Sequence, residues 1–409
     1  MTLWLKGPDF CEEGRMPWPI QDVNTIRREF VTKALLQDAS LAALCREFGI
    51  SRKTGYKWRA RALAEGLVGL GEHSRRPRNS PTELPETTVC RLIQLKLRHA
   101  HWGPKKISQL YGRQSAEVPS VSSVHRVLAR AGLVHQRRRR RAPEPTRISV
   151  GAVAHAPNQV WTVDFKGWWQ LGNQQRCEPL TVRDAFSKFV LAVRSVPAAN
   201  TASVRAEFER LFEAYGLPQV IKSDNGAPFA SAAAPLGLSR LSAWWVALGI
   251  ELDRSRPAHP QDNGAHERLH RDLASELASQ VQPDLASQQA AFDPWREEFN
   301  WVRPHEALAG RSPGEVYRKS SRPVPPAPLG LDYGKGFFLR KVSANGTIRW
   351  HGLHLMISTT LAGWPLGLRY QDADHLEVWF AHLRLGHIEL STATFLRGAS
   401  PTKQAALIA

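Results

Sequence analysis

Trp161-Thr162-Val163-Asp164-Phe165 is the stretch that decides the fold, because a carboxylate emerges there from an apolar, strand-forming run. The chain around it alternates between runs typical of strands and an amphipathic pattern typical of helices. The strands are predicted at 160–165, 180–182, 189–193, 220–221 and 250–252, and the helices at 201–215 and 264–279. Neighbouring strands followed by alternating helices and strands predict an α/β domain with a mixed sheet.

Two further carboxylates lie in short contexts that suit the same chemistry. Asp224 ends a predicted strand before the turn pair Asn225-Gly226, and Glu267 lies one turn into a predicted helix. Carboxylates that converge repel one another and raise their pKa values, so such a cluster favours cations between them. Mg²⁺ prefers hard oxygen ligands, and two such ions stabilise the attacking and leaving oxygens of a phosphodiester reaction. The pattern therefore predicts Asp164, Asp224 and Glu267 as catalytic residues and metal ligands.

Each acid also has an ordinary structural explanation when it is taken separately. Asp164 would cap a turn at a strand end, Asp224 would be a turn former, and Glu267 would compensate a helix dipole. We favour the joint interpretation because basic helical modules precede all three acids along the chain.

The charge distribution indicates a polyanionic partner. The 409 residues carry a net charge of +18, with a sequence pI near 10.2. Residues 51–150 hold 22 Lys and Arg against 6 Asp and Glu, so most of the excess belongs to one part of the chain. This placement favours a module that binds nucleic acid over a generally basic surface.

Cysteine usage and hydropathy exclude several classes of protein. The four cysteines, at 11, 45, 90 and 177, form no CxxC or Cys/His cluster, which argues against a zinc finger or a disulfide framework. An apolar signal-peptide core and a stretch of 18 apolar residues are both lacking in the sequence. We expect a soluble intracellular protein, cytoplasmic and associated with bacterial DNA.

Residues 20–70 are predicted to form a helix-turn-helix domain. Gly49 breaks a helix with one apolar face, and Ser51 is a suitable N-cap for a second helix that runs through Trp58. Gly55 inside that second helix would permit a close helix crossing. A plain helical hairpin with a solvated basic face is the alternative. The DNA-contacting residues predicted here are Arg52, Lys53, Lys57 and Arg59.

A second helical or winged-helix DNA-binding domain is predicted over 84–135, and a three-helix packing module is the alternative. Lys105 and Lys106 follow Pro104, which suits the first turn of a helix, and are its predicted DNA contacts. A basic linker follows over 136–157. Its five arginines, Arg137, Arg138, Arg139, Arg140 and Arg141, are predicted to lie along a phosphate backbone, although they would also suit a solubilising tail.

The catalytic domain is predicted over 158–320 and a small β-barrel over 334–395. Short strands with turn signals such as Asn345-Gly346 recur in the C-terminal region. Trp350, Trp364 and Trp379 are candidates for the core of that barrel.

Three motifs together resemble the Asp-Asp-Glu transposases of bacterial insertion sequences, within the retroviral-integrase superfamily. They are Trp161–Phe165, Lys222–Phe229 and Arg256–Arg268, with the helix-turn-helix over 49–58 and Arg303–Leu308 as further points of likeness. The resemblance implies a ribonuclease-H-like core with a mixed five-stranded sheet. In that fold Asp164 lies on the first strand, Asp224 after the fourth and Glu267 on a late helix.

The resemblance also implies a reaction and its partners. Mg²⁺ or Mn²⁺, in two ions, would support cleavage of double-stranded DNA at transposon ends by water, and the freed 3′-hydroxyl would attack target DNA. Such proteins act as multimers that bridge two transposon ends, so a homo-oligomer on DNA is expected.

One departure from the family pattern keeps the third acid open. Forty-two residues separate Asp224 from Glu267, more than is usual in the family, so Asp253 and Asp262 compete with Glu267. The zinc-binding module of retroviral integrases is absent from the sequence. Supporting roles at the active site are predicted for Asn225, His259, Asn263 and Arg268, with Lys222 as a further phosphate contact.

The expected function is that of a DNA transposase, with two alternatives. A regulator with a catalytically silent core would use the domain as a scaffold for dimerisation. A metal-dependent nuclease would hydrolyse DNA without strand transfer, and the residues do not separate water from a 3′-hydroxyl as the attacking group.

Overall fold

The computed structural model describes residues 22–36, 40–72, 83–134, 151–196, 198–256, 264–278, 281–326 and 331–398. The chain divides into two compact units, Met1–Glu83 and Leu84–Ala409. Among the described residues, none of the helices is both long enough and apolar enough to span a membrane.

The first unit holds three helices, α1 (Val23–Leu36), α2 (Leu41–Glu47) and α3 (Arg52–Glu65). Gly49 adopts a φ of 63° in the turn between α2 and α3, and the Ser51 side chain accepts a hydrogen bond from the Thr54 N–H. The expected N-cap is therefore confirmed. The helices enclose a small core whose members are Phe30, Val31, Ala34, Leu44, Cys45, Trp58 and Leu70.

Gly55 lies where α3 crosses α1 and α2. A Cβ at this position would lie 2.4 Å from the Cys45 Sγ and 3.1 Å from the Phe30 Cζ. Since no real Cβ contact is that short, only glycine allows this approach, and the expected close crossing is confirmed.

The second unit begins with a helical module of three helices, α4 (Glu86–Arg98), α5 (Pro104–Gly112) and α6 (Val121–Arg130). Gly103 precedes Pro104 at the start of α5, and the Ser120 side chain caps α6 by accepting from the Ser123 N–H. The buried residues of the module are Leu92, Leu95, Trp102, Ile107, Leu110, Tyr111, Val124, Val127 and Leu128. Val302, which lies far along the chain, also packs against this core.

A mixed sheet forms the centre of the second unit. Its strands in the described part of the chain are β1 (Val160–Phe165), β2 (Trp169–Gln170), β3 (Arg176–Asp184), β4 (Val190–Val196), β5 (Val220–Ser223) and β6 (Glu251–Arg254). The long strands lie in the order β4-β3-β1-β5-β6, and the two-residue β2 pairs with the start of β3. β1 pairs antiparallel with β3 and parallel with β5, and β5 pairs parallel with β6.

Helices cover both faces of this sheet. α7 (Thr201–Tyr215) and α8 (Arg240–Ala247) bury Phe208, Phe212 and Trp245 against one face, beside Val163 and Val182. α9 (Gly264–Leu273) and α10 (Leu285–Glu297) bury Leu269, Leu273 and Phe292 against the other face, beside Cys177 and Val193. Because side chains alternate along a strand, Asp164 and Thr181 belong to the face covered by α9 and α10.

The C-terminal region corrects the expectation of a small β-barrel. The short helix α11 (Pro313–Val316) comes first, and then β7 (Phe338–Lys341), β8 (Thr347–Trp350), β9 (Leu353–Met356), β10 (Pro365–Tyr370), β11 (His375–Phe380), β12 (Leu383–Glu389) and β13 (Thr394–Arg397). An antiparallel sheet has the order β13-β12-β11-β10-β7, and β8 and β9 form a separate hairpin.

Within the described residues, the edge strands β7 and β13 do not pair, so the sheet stays open. Ile348, Trp350 and Leu355 of the hairpin share one core with the sheet, and Ala243 and Val246 of α8 belong to the same core. The apolar face is therefore buried by neighbouring elements, and closure is not needed to cover it. Trp350 is buried as expected, whereas Trp364 and Trp379 are partly exposed.

Candidate active site

Asp164 and Asp224 lie at the ends of neighbouring parallel strands. The last residues that pair between β1 and β5 are Thr162 and Lys222. Asp164 lies two residues after Thr162, and Asp224 lies two residues after Lys222. Asp164 is half-buried in β1, whereas Asp224 is exposed in the turn after β5. The Gly226 N–H donates to Asp224 Oδ1 over 3.2 Å, which orients that carboxylate.

The electrostatics of Asp164 indicate that both other acids lie close to it. Burial raises the pKa of the Asp164 carboxyl to about 7, and the charges of Asp224 and Glu267 act in the same direction. A hydrogen bond from the Phe165 N–H acts in the opposite direction and lowers this pKa. A carboxylate that is desolvated and faces like charges binds a cation or a proton more readily than an isolated one. The chemistry of the three residues therefore suits a divalent cation.

Glu267 lies in the first turn of α9 and is exposed. The three acids do not form a single tight ligand set. In the described part of the chain, the one group with three ligand atoms all within 4.8 Å is Asp374, His375 and Glu389. Donors shared between two ions 3.5–4 Å apart are spread more widely than donors around one ion.

The Asp374 cluster belongs to the C-terminal sheet and has a structural explanation. Asp374 accepts hydrogen bonds from the N–H and the hydroxyl of Ser391, and His375 Nδ1 pairs with Asp372. These contacts fix the turn between β10 and β11. The cluster was not predicted from the sequence, since its members come from a turn and from the ends of two strands.

Asp253 is engaged elsewhere. It lies on β6, where its Oδ2 accepts from the Ala152 N–H over 3.0 Å and lies 3.8 Å from the Lys222 Nζ. This carboxylate therefore holds a preceding segment and a lysine on the neighbouring strand. Asp262, the other competitor of Glu267, falls outside the described residues.

The predicted supporting residues have different surroundings. The Asn225 Nδ2 donates to the Ser255 carbonyl over 2.7 Å, which ties the turn after β5 to the segment after β6. Arg268 is exposed beside Glu267 on α9. His259 and Asn263 lie outside the described residues.

A buried hydroxyl links the strand of Asp164 to the helix of Glu267. Thr181 is paired with Asp164 across β1 and β3, and its Oγ1 donates to the Asp164 carbonyl over 3.0 Å. The same oxygen lies 2.8 Å from the His270 Nε2 on α9. Sequence reasoning missed both residues, because 89 positions separate them and only the sheet register places them together.

Two histidines on α9 are neutral at ordinary pH. Burial lowers the pKa of His270 to about 4, with the Lys166 and Arg183 charges acting in the same direction. The fully buried His266 has its pKa lowered well below the usual value, mainly by burial. The two rings meet edge to face with centroids 5.3 Å apart.

The predicted DNA contacts of the first unit lie on one helix. Arg52, Lys53 and Lys57 are exposed on α3, and Arg59 is half-buried. The Lys57 Nζ lies 4.7 Å from the centroid of the Trp58 ring. This arrangement gives α3 an accessible basic face.

The predicted contacts of the second helical module, Lys105 and Lys106, lie near Glu306 and Arg303. Lys105 forms an ion pair with Glu306, and Lys106 lies 6.0 Å from the Trp102 ring centroid. Burial lowers the pKa of Lys106 to about 8, with the neighbouring Arg303 charge acting in the same direction. Arg137, Arg138, Arg139, Arg140 and Arg141 lie outside the described residues.

Four models of protein domains match the chain. A helix-turn-helix domain matches residues 26–78, and a homeodomain-like domain matches residues 54–128. Two integrase core domain models match residues 154–260 and 248–313.

Two of the curated relatives come from bacterial insertion elements. An uncharacterized 31.7 kDa protein of insertion element IS407 from Burkholderia multivorans is 27% identical over 254 residues, covering 62% of this chain and 88% of the relative. A 39.2 kDa protein of insertion element IS476 from Xanthomonas euvesicatoria is 28% identical over 260 residues, covering 63% of this chain and 71% of the relative. A solved structure of the HTLV-2 integrase catalytic core domain with magnesium covers 41% of this chain and 100% of its own, at 16% identity and a TM-score of 0.31.

Proposed function

We propose that this chain, which has helix-turn-helix domains, an integrase core and similarity to insertion-element proteins, binds the terminal inverted repeats of its element and catalyses their cleavage and transfer into target DNA. In this proposal Asp164, Asp224 and Glu267 are the catalytic residues. The substrate is double-stranded DNA, as transposon end and as target.

Two carboxylates at the ends of neighbouring central strands, with the Glu267 charge acting on one of them, support the proposal. Asp164 and Asp224 follow neighbouring parallel strands, and the charges of Asp224 and Glu267 both raise the pKa of Asp164. The donor set is all carboxylate oxygen, which suits Mg²⁺ or Mn²⁺. Two such ions, when bound, would stabilise the charge on the attacking and leaving oxygens of an in-line displacement.

The surroundings of the acids suit a substrate as large as DNA. Asp224 and Glu267 are exposed, so a phosphodiester backbone can reach them from solvent without an opening step. The exposed guanidinium of Arg268, next to Glu267, can donate two hydrogen bonds to a phosphate. Asn225 holds the turn that carries Asp224 in place through the Ser255 carbonyl.

Recognition of the ends is assigned to the first unit. Arg52, Lys53 and Lys57 give α3 an exposed basic face that suits a recognition helix in the major groove. Binding should weaken steeply with salt, because each lysine or arginine that pairs with a phosphate releases counterions.

The remaining parts of the proposal concern assembly. The exposed rings of Phe338 and Tyr370 lie 6.0 Å apart on the C-terminal sheet, and the exposed Arg349 belongs to the hairpin. Such a basic and aromatic surface suits DNA contact or subunit contact within a complex that bridges two ends. We propose that the active form is a homo-oligomer on DNA.

The deciding experiment compares Asp164→Asn with Asp253→Asn in the full-length protein. Cleavage is measured on intact ends, joining on pre-cleaved ends, and end binding by a mobility shift. Asp164→Asn should abolish cleavage and joining while end binding survives, because only the cation site is lost. Asp253→Asn should retain both reactions, since Asp253 contacts Ala152 and Lys222 instead.

The same assays separate the alternatives. A wild-type protein that binds ends but neither cleaves nor joins them would be a regulator with a silent core. A protein that cleaves ends but does not join pre-cleaved ones would be a nuclease. Joining by the Asp164→Asn variant would remove Asp164 from the site.

A further inference from the structure

A chain of two hydrogen bonds connects the helix of Glu267 to the strand of Asp164. Glu267 and His270 lie three residues apart on α9 and therefore project from neighbouring positions of one helical surface. The His270 Nε2 lies 2.8 Å from the Thr181 Oγ1, which in turn lies 3.0 Å from the Asp164 carbonyl oxygen.

The direction of both bonds follows from counting protons. A backbone carbonyl only accepts, so the single hydroxyl proton of Thr181 goes to the Asp164 carbonyl. The Thr181 oxygen must then accept from His270, which places the histidine proton on Nε2. The chain therefore runs from the His270 Nε2–H through the Thr181 hydroxyl to β1.

Burial makes these bonds hard to replace. Thr181 belongs to β3, is fully buried and lies directly opposite Asp164 of β1. Water does not reach its hydroxyl, so loss of the histidine donor leaves a buried acceptor only partly satisfied. The fully buried His266 ring packs against the His270 ring from one turn earlier and limits the orientations open to it.

The fold of α9 does not depend on this contact. Leu269 and Leu273 anchor the helix in the apolar core shared with α10. The apolar core holds α9 in place, and the two hydrogen bonds fix its distance from β1 more narrowly. That distance is the one between the elements that carry Glu267 and Asp164.

We propose that His270 and Thr181 are positioning residues that set the placement of Glu267 relative to Asp164, and thereby the affinity of the site for a divalent cation. This inference rests on the proposed function, because it takes the three acids as the cation ligands. Outer partners that orient metal ligands typically change cation affinity by about 10–100-fold when they are removed.

The test measures Mn²⁺ binding to the full-length protein without DNA, by electron paramagnetic resonance. His270→Phe keeps a planar ring but has no donor, and Thr181→Val keeps the shape but has no hydroxyl. Each should weaken Mn²⁺ binding by about tenfold or more. His270→Gln and Thr181→Ser keep a donor and a hydroxyl, and should stay near the wild-type affinity.

A purely structural role predicts a lower melting temperature with no change in Mn²⁺ affinity. The melting temperature of the cation-free protein should fall only modestly in His270→Phe and Thr181→Val, as expected for the loss of one buried hydrogen bond, because Leu269 and Leu273 still anchor α9. It should stay close to wild type in His270→Gln and Thr181→Ser. In strand-transfer assays, the Mn²⁺ concentration for half-maximal rate should rise in His270→Phe and Thr181→Val, and saturating Mn²⁺ should restore most of the rate.

Two outcomes overturn the inference in distinguishable ways. Wild-type Mn²⁺ affinity in both His270→Phe and Thr181→Val, with Asp164→Asn unable to bind, would leave the proposed function standing and remove the positioning role. Equal Mn²⁺ binding by wild type and Asp164→Asn would instead remove the cation site itself, and the positioning role with it.

Discussion

Asp164 lies beside Asp224 at the ends of two parallel strands, and the charge of Asp224 helps to keep a proton on Asp164 near neutral pH. The pKa of Asp164 is raised to about 7, first by burial and then by Asp224, with a smaller contribution from Glu267. The folded protein therefore holds a proton between about pH 4 and pH 7 that the unfolded chain releases.

The first prediction concerns pH and divalent cations. Because the folded state binds the extra proton, this group's contribution to stability is present at low pH and is lost as the pH rises through about 7. A cation must displace the proton, so apparent Mg²⁺ affinity should be about tenfold weaker at pH 6 than at pH 8. Thermal shifts upon adding Mg²⁺ at the two pH values measure this difference.

Asp164→Asn is the control for that measurement. In this variant, Mg²⁺ should no longer raise the melting temperature at either pH. Without a cation at pH 8, its melting temperature should be higher than that of the wild type. The gain should be on the order of 1–2 kcal/mol, after allowance for solvent screening at a half-buried site. A shift caused by Mg²⁺ that is equal at pH 6 and pH 8 in the wild type would contradict the prediction.

The second prediction concerns truncation. Removing residues 1–83 should eliminate selective end binding and leave the rest folded, because the division into compact units falls at Glu83 and Leu84. Removing residues 1–135 should instead cause aggregation or a loss of several degrees in melting temperature. That cut takes away α4 to α6, against whose core Val302 packs, and also removes the partners of Glu306 and Glu315.

Mobility shifts with end and scrambled DNA, together with circular dichroism melts, test both truncations. The prediction fails if the protein lacking residues 1–83 still prefers its ends. It also fails if the two truncated proteins melt at the same temperature.

The third prediction concerns Arg303. Its guanidinium is buried and lies 2.8 Å from Asp272 and 3.1 Å from Glu276. Arg303→Met should destabilise the second unit by about 2–4 kcal/mol, because two partly buried carboxylates lose their cation. Arg303→Lys should recover only part of this loss, since a lysine cannot contact both acids through a planar fork.

Urea denaturation followed by tryptophan fluorescence measures this effect. Arg349→Ala removes an exposed arginine from β8 and should stay within about 0.5 kcal/mol of wild type. An Arg303→Met midpoint equal to that of the Arg349→Ala control would show that the ion pairs contribute no net stability.

The fourth prediction concerns Gly55. Alanine gains about 1 kcal/mol in helix propensity, but its Cβ would lie 2.4 Å from the Cys45 Sγ. Overpacking of this kind costs about 1–3 kcal/mol, so Gly55→Ala should lower the melting temperature of the first unit and weaken end binding.

A double-mutant cycle tests the cause. Cys45→Ala removes the obstructing sulfur, so the double variant should lose less stability than the sum of the two single variants. Additive losses would mean that Cys45 is not what excludes a side chain at position 55.

Local patterns predicted much of the fold. The limits of β1 (Val160–Phe165) and α7 (Thr201–Tyr215) agree with the sequence, because each has a strong period and α7 has the Asn200 cap. Closure of the C-terminal sheet was predicted wrongly, because the hairpin and α8 that cover its apolar face come from other parts of the chain. The role of the three acids stays a prediction, although their convergence is supported by the pKa of Asp164.

Other parts of the site depend on contacts that no local pattern contains. Lys105 and Lys106 were predicted to contact DNA, but Lys105 forms an exposed ion pair with Glu306 and Lys106 is partly buried near the Arg303 charge. The contact between Thr181 and His270 depends on sheet register and on the placement of α9, which motif spacing does not give.

The packing of α4 to α6 against the catalytic domain has a consequence for how DNA is handled. His99 stacks on Trp102 with ring centroids 4.1 Å apart and pairs with Glu298 over 3.0 Å, while Arg113 reaches Glu315 over 3.0 Å. A duplex bound by this helical module would thus meet Asp164, Asp224 and Glu267 at a constant offset along its axis. The number of base pairs between such a grip and the cut would then be a property of the protein's own dimensions.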